Sequence, residues 1–293
     1  MKHGFFKYSI IILFFIISYV IAHADEKKDY PVPVMVSIQP LAYFVQRVGG
    51  DRIFVSVLVP SGRNPATYAP APSQILALSK SKIIFIAGVP FENSLMPKIK
   101  TGSGHIRVID TRSGIRLRKM EGEHHNDKSD GYDPHIWMSP VLVKTQAKTI
   151  YDALDTIDPD GKAFYRDNLK LFIKDLEMLD AKISDVLSNV KGETIFVFHP
   201  AFGYFADAYG LKQMSVEIQG KAPKGKALSS FIKKAKKNNV HVIFVQPQFD
   251  QNSAKKIAHA IGGAVVSVDP LAYDYIKNLE NMADKVKNAI AMH

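Results

Sequence analysis

The stretch 165-YRDNLKLFIKDLEMLDAKISDVLSNV-190 decides the architecture. Tyr165, Leu169, Phe172, Leu176, Leu179, Ile183, Val186 and Val190 recur at alternating steps of four and three. At 3.6 residues per turn this spacing puts every one of them on a single stripe. The pattern predicts a helix of about 27 residues, roughly 40 Å long. A short coiled coil would show the same stripe, but the strand-like flanks favour a helix lying against one protein. Such a helix spans two halves and resists wide hinge motion.

The flanks supply the halves. Val34–Ile38, Ile53–Val59 and Ile83–Ile86 are short β-branched runs on one side. Thr194–Phe198, Val242–Val245 and Val265–Val268 answer them on the other. Their near-continuous apolar character fits strands covered on both faces, hence parallel sheets with crossover helices. Pro40, Pro140 and Pro200 each stand where a helix can begin, because the first helical turn needs no proline N–H. The expected fold class is α/β. Two lobes with central, mostly parallel sheets flanked by helices are joined by one long rigid linking helix. The lobes are expected over 30–160 and 192–293, with the linking helix over 161–191.

Residues 1–24 read as a secretory signal peptide. Lys2 and Lys7 precede the run SIIILFFIISYVIA, and Ala22 and Ala24 supply the small residues at positions −3 and −1 of a cleavage site. The 293-residue chain carries 38 basic and 28 acidic residues and no cysteine. Disulfides, thiolate zinc sites and lipidation at an N-terminal cysteine are thereby excluded. A free protein in the periplasm, not itself membrane-spanning, is the expected location. Without Lys2 and Lys7 the chain remains near +8. Of its basic clusters, Arg112–Lys119 has no interleaved aromatics and Lys233–Lys237 reads as the solvated face of a helix carrying Phe231 and Ile232, so no nucleic-acid partner is expected.

Metal or reaction chemistry must then come from histidine, carboxylates, hydroxyls and amides. In an open α/β sheet, ligands bind beyond the carboxyl ends of the strands. One strand runs into His199-Pro200 and another into Asp269-Pro270, two positions expected in adjacent strand-to-helix turns. His135 sits in GYDPHIWMSP, just before a helix start. These three are candidate metal ligands, though on spacing alone they fit helix caps and polar turns as well. The polar run EGEHHNDKSD, 121–130, carries His124 and His125 on an expected surface loop that could loosely collect metal.

At this point the chain resembles the periplasmic zinc- or manganese-binding solute-binding proteins of ABC transporters, the metal-binding cluster A-I. The matching segments are SIQPLAYFVQRVGGDRIFVSVLVPSG, NPATYAPAPSQILALSKSKIIF, YDPHIWMSP, HPAFGYFADAYGL, VIFVQPQFD and VVSVDPLA. The resemblance implies two lobes on one rigid helix and a metal held between them for delivery to a membrane permease. It assigns His135, His199 and Asp269 as ligands. It also places Ala66, in GRNPATYAP, where a further histidine would stand. Glu217, a loop histidine or water could fill that position. Asn64 and Tyr68 are expected to support the ligands, and Asp133 to orient His135 or cap its turn.

Two imidazoles and one carboxylate favour Zn²⁺ over Mn²⁺, which prefers more oxygen donors. The expected function is capture of zinc by a monomer and delivery to the permease, with no catalytic residue. The alternatives are a receptor for a metal chelate or small organic solute, and a metal-dependent hydrolase using an open coordination position.

Overall fold

A computed structural model describes residues 31–102, 106–121, 131–217, 223, 225–238 and 240–291. The expected leader and the His124–His125 loop lie outside the described residues. The first sheet contains β1 (Val32–Val36), β2 (Ile53–Val57), β3 (Ile83–Ile86) and β4 (Arg107–Asp110), in the order β2-β1-β3-β4. The second contains β5 (Thr194–Val197), β6 (Lys212–Ser215), β7 (Val242–Val245) and β8 (Ala264–Ser267), in the order β6-β5-β7-β8. Every pairing among these eight strands is parallel. Val34, for example, lies opposite Val55 on one side and Ile83 on the other.

Burial follows strand position. The inner strands VPVMV, IIFI, TIFV and VIFV are almost wholly buried, whereas RVID and KQMS at the edges are partly exposed. An edge strand packs on fewer neighbours, so its sequence need not be uniformly apolar. The two strands absent from the sequence reading, β4 and β6, are of this kind.

The helices are α1 (Gln39–Gly49), α2 (Pro72–Ser79), α3 (Pro90–Gly102), α4 (Pro140–Ile157), α5 (Lys162–Val186), α6 (Gly203–Tyr209), α7 (Gly225–Lys237), α8 (Gln251–Ile261) and α9 (Tyr275–Ala291). Among the described residues none is long and apolar enough to cross a membrane. Proline opens α1 and α4 as expected. It does not open α6. The segment after His199 first turns on itself, with Ala201 N–H donating to the His199 carbonyl and Phe202 N–H to the Gln213 side chain. The helix therefore starts at Gly203, three residues late.

The long helix is α5, 25 residues followed by a 3₁₀ turn at Ser188–Val190. Tyr165, Phe172, Leu176, Leu179 and Ile183 are buried, and Leu169 and Val186 are partly so. Their stripe packs against α1, α4 and α9. Phe44 of α1 meets the ring of Tyr275 edge-on at 4.8 Å and that of Phe172 at 5.8 Å. One continuous apolar core thus joins the first sheet, α5 and part of the second half, through residues such as Val34, Phe172, Val197 and Phe205. A smaller core, built on Phe196, Phe231, Ile243 and Ile257, lies under α7 and α8.

Candidate metal centre

The carboxyl ends of the inner strands and the turn before α4 border a cavity of about 770 Å³. His135 and His199 both line it, their ring centroids 5.4 Å apart. They come from opposite halves of the sequence, one ahead of α4 and one beyond β5.

Each imidazole has its own carboxylate. His135 Nδ1 lies 2.7 Å from Asp133 Oδ1, and the same oxygen accepts the His135 backbone N–H at 2.9 Å. Asp133 therefore orients the ring and caps the turn, the two roles the sequence left as alternatives. His199 Nδ1 lies 2.5 Å from Glu217 Oε2. A carboxylate only accepts, so Nδ1 carries the proton in both rings and Nε2 keeps its lone pair. Burial lowers the pKa of His199 below its usual range, with the Glu217 contact partly opposing it. The ring is thereby held neutral, the form that binds a metal.

Packing fixes the planes. Phe249 stacks on His199 with centroids 4.6 Å apart and a 20° angle between planes. Trp137 packs against His135 at 5.1 Å. Tyr204 is a bolt from α6: its hydroxyl accepts the Arg118 N–H and donates to the Asp133 carbonyl, each at 3.0 Å. Gly203 leaves room for the Arg118 guanidinium, which a Cβ there would displace, while pressing on Asp133 Oδ2. Trp137, Phe202, Tyr204 and Phe205 are all buried as packing residues.

Asp269 is placed differently. Its Oδ1 accepts from Gln248 Nε2 at 2.7 Å and from the Leu271 N–H at 2.9 Å. The expectation of adjacent turns is corrected by the sheet order, since β7 lies between β5 and β8. Residues just past β7 fill the gap. Gln246 exchanges two hydrogen bonds with the His199 backbone, while Gln248 holds Asp269. Among the described residues, no three His, Asp, Glu or Cys side chains are gathered as a metal-holding group. The structure thus brings His135 and His199 together and does not gather Asp269 with them.

Ala66 and Asn64 also line the cavity, and Asn64 Oδ1 accepts the Ala66 N–H at 2.8 Å. Tyr68 donates to Gln74 Oε1 at 2.6 Å. Gln246, Gln248 and Phe249 stand in the matching segment VIFVQPQFD, but nothing in it assigns them a role: two amides and an aromatic after a buried strand are common loop residues.

The high-affinity zinc uptake system protein ZnuA of Bacillus subtilis (strain 168) is 29% identical over 255 residues, spanning 83% of this chain and 77% of the relative. The manganese ABC transporter substrate-binding lipoprotein PsaA of Streptococcus mitis is 27% identical over 267 residues, spanning 85% and 84%. A crystal structure of ZnuA superposes with a TM-score of 0.82 at 38% identity, covering 88% of this chain and 98% of that one. Paired imidazoles between two parallel α/β sheets, relatives of this kind and a match over residues 34–289 place the chain in the ZnuA family, zinc-uptake complex component A, periplasmic.

Proposed function

We propose that this protein is the zinc-capture component of an ABC uptake system, a periplasmic monomer that coordinates Zn²⁺ in the cavity and delivers it to a membrane permease. The observation that carries the reading is the pair of imidazoles 5.4 Å apart, each backed by a carboxylate on Nδ1. That arrangement leaves Nε2 of each ring unprotonated, with a lone pair to offer a cation, and the buried carboxylates of Asp133 and Glu217 partly offset the ion's charge through the rings. His135 and His199 are the proposed nitrogen ligands. Asp269 is the proposed anionic ligand through Oδ2, its Oδ1 being engaged by Gln248 and Leu271.

Glu217 is better placed to orient His199 than to coordinate, since its Oε2 is already on Nδ1. Zinc is favoured over manganese because imidazole donors outnumber carboxylates, and zinc lies above manganese in affinity for nitrogen sites. Capture and release require no covalent step.

The test is a zinc titration against a competing chromophoric chelator, run on the wild type and on His135→Ala, His199→Ala and the double variant. Loss of a true ligand should exceed the roughly 10–100-fold penalty of losing a supporting residue. A double variant that binds zinc as tightly as the wild type sinks the assignment.

A further inference from the structure

The cavity is much larger than its proposed cargo, and its donors do not complete the cargo's coordination. Among the described residues that line it, His135 and His199 are the imidazoles and Glu92 is the sole carboxylate. Glu92 is committed to backbone, accepting the Ala87 N–H at 2.9 Å and the Gly88 N–H at 2.7 Å. Ala66 offers no side-chain donor, and Asn64 turns its oxygen to the Ala66 N–H. Two neutral imidazoles leave two of four tetrahedral positions open, and the carboxylates of Asp133 and Glu217 act on the metal only through Nδ1 of those rings. Adding Asp269 leaves one position open. On either count at least one donor atom is missing among the described residues.

Water could fill an open position but brings no charge. It also accounts for only about 30 Å³ per molecule, a small part of the 770 Å³ present. Cavities of roughly 300–1,000 Å³ with mostly apolar walls and a few directed polar groups are those that take small organic molecules. This wall has that character. Met96, Leu117, Trp137 and Phe249 supply apolar surface, and Arg112 supplies a cation. Asp110 occupies Nε and Nη2 of Arg112. Nη1 lies against Gly88, itself a lining residue, and makes no hydrogen bond among the described residues. The contact requires glycine, since φ at Gly88 is +82° and a Cβ there would collide with the guanidinium.

From these observations we infer that the zinc is carried as a complex with a small carboxylate chelator. His135 and His199 bind the metal, two donor atoms of the chelator complete the sphere, and a carboxylate of the chelator reaches Arg112 Nη1. The inference rests on the zinc reading above and names the form in which the ion is held. The chelator's donor atoms fill the positions that the described side chains leave open, and its charge meets Arg112.

The experiment uses metal-free protein incubated with zinc alone, with zinc plus radiolabelled citrate or glutamate, and with each acid alone, followed by rapid gel filtration. The expected result is one zinc retained per chain together with one molecule of citrate or glutamate, the acid being retained only when zinc is present. Arg112→Gln should weaken retention of the acid about tenfold, the scale of one charged hydrogen bond, while zinc stays bound. Ala66→His, which adds a protein donor to the cavity wall, should keep zinc and release the acid. Circular dichroism checks that both variants are folded. Zinc retained by the wild type while both acids remain in solution overturns the chelate inference and leaves zinc capture intact. Acid retained equally without zinc also overturns it. Failure to retain zinc in any mixture overturns the zinc reading itself.

Discussion

Trp137 Nε1 donates a 2.8 Å hydrogen bond to the Pro270 carbonyl, tying the turn that carries His135 to the turn that carries Asp269. The indole is 1% exposed, so no solvent replaces the bond if it is lost. Trp137→Phe keeps most of the packing and leaves a buried carbonyl unpaired, at a cost of about 1–3 kcal/mol. Urea unfolding should show that loss, and zinc affinity should fall with it because the two turns are no longer joined. An unchanged midpoint would mean that the bond contributes nothing to holding the turns together.

Glu217 offers a sharper distinction. If it orients His199, Glu217→Gln retains an oxygen that can accept from Nδ1 and loses little zinc affinity, whereas Glu217→Ala loses roughly 10–100-fold. If it coordinated the metal, the two variants would be similarly impaired, because a carboxamide supplies neither charge nor a strong ligand. Zinc affinities of the two proteins, compared side by side, separate the roles.

Two groups on this cavity give the metal-free protein opposing pH dependences. Burial lowers the pKa of His199 from its ordinary 6.5. The unfolded chain then takes up the proton first, and this contribution to stability, complete above pH 6.5, is lost as pH falls through the lowered folded value. Glu92 is 2% exposed, and burial raises its pKa from 4.5 to about 7 against the pull of the Ala87 and Gly88 N–H groups and Arg112. Its contribution is complete below 4.5 and is lost as pH rises to about 7. Unfolding free energies measured from pH 5 to 8 should therefore fall less steeply towards acid in His199→Gln. They should fall less towards neutral pH in Glu92→Gln. Identical slopes in all three proteins would refute both assignments.

Legibility in the sequence tracked packing. β3 and β7 matched their expected residues because IIFI and VIFV are inner strands buried on both faces. The stripe from Tyr165 to Ile183 was readable because one face of α5 meets three helices along its length. RVID and KQMS were not readable, since an edge position relaxes the demand for apolar residues. The site divided in the same way. His135 and its partner Asp133 lie two residues apart, so local spacing suggested their contact. Nothing local announces that Gln248 holds Asp269 or that Phe249 stacks on His199. Those contacts depend on β7 lying between β5 and β8, which is a property of strand order and not of any segment.

The continuity of the core yields the last prediction. Leu176 is 1% exposed on α5 and belongs to the cluster that includes Val34 of β1, Val197 of β5 and Tyr275 of α9. Replacing it with alanine removes a buried methine and two methyl groups and leaves a cavity that rigid neighbours fill only partly, costing about 2–5 kcal/mol. Because the cluster spans both halves, the loss should appear in one cooperative transition whose midpoint shifts as a whole. Far-ultraviolet circular dichroism and the fluorescence of Trp137, the single tryptophan, should report the same midpoint. Were the halves independent about α5, the two probes would diverge in Leu176→Ala, with Trp137 reporting only the half that carries it.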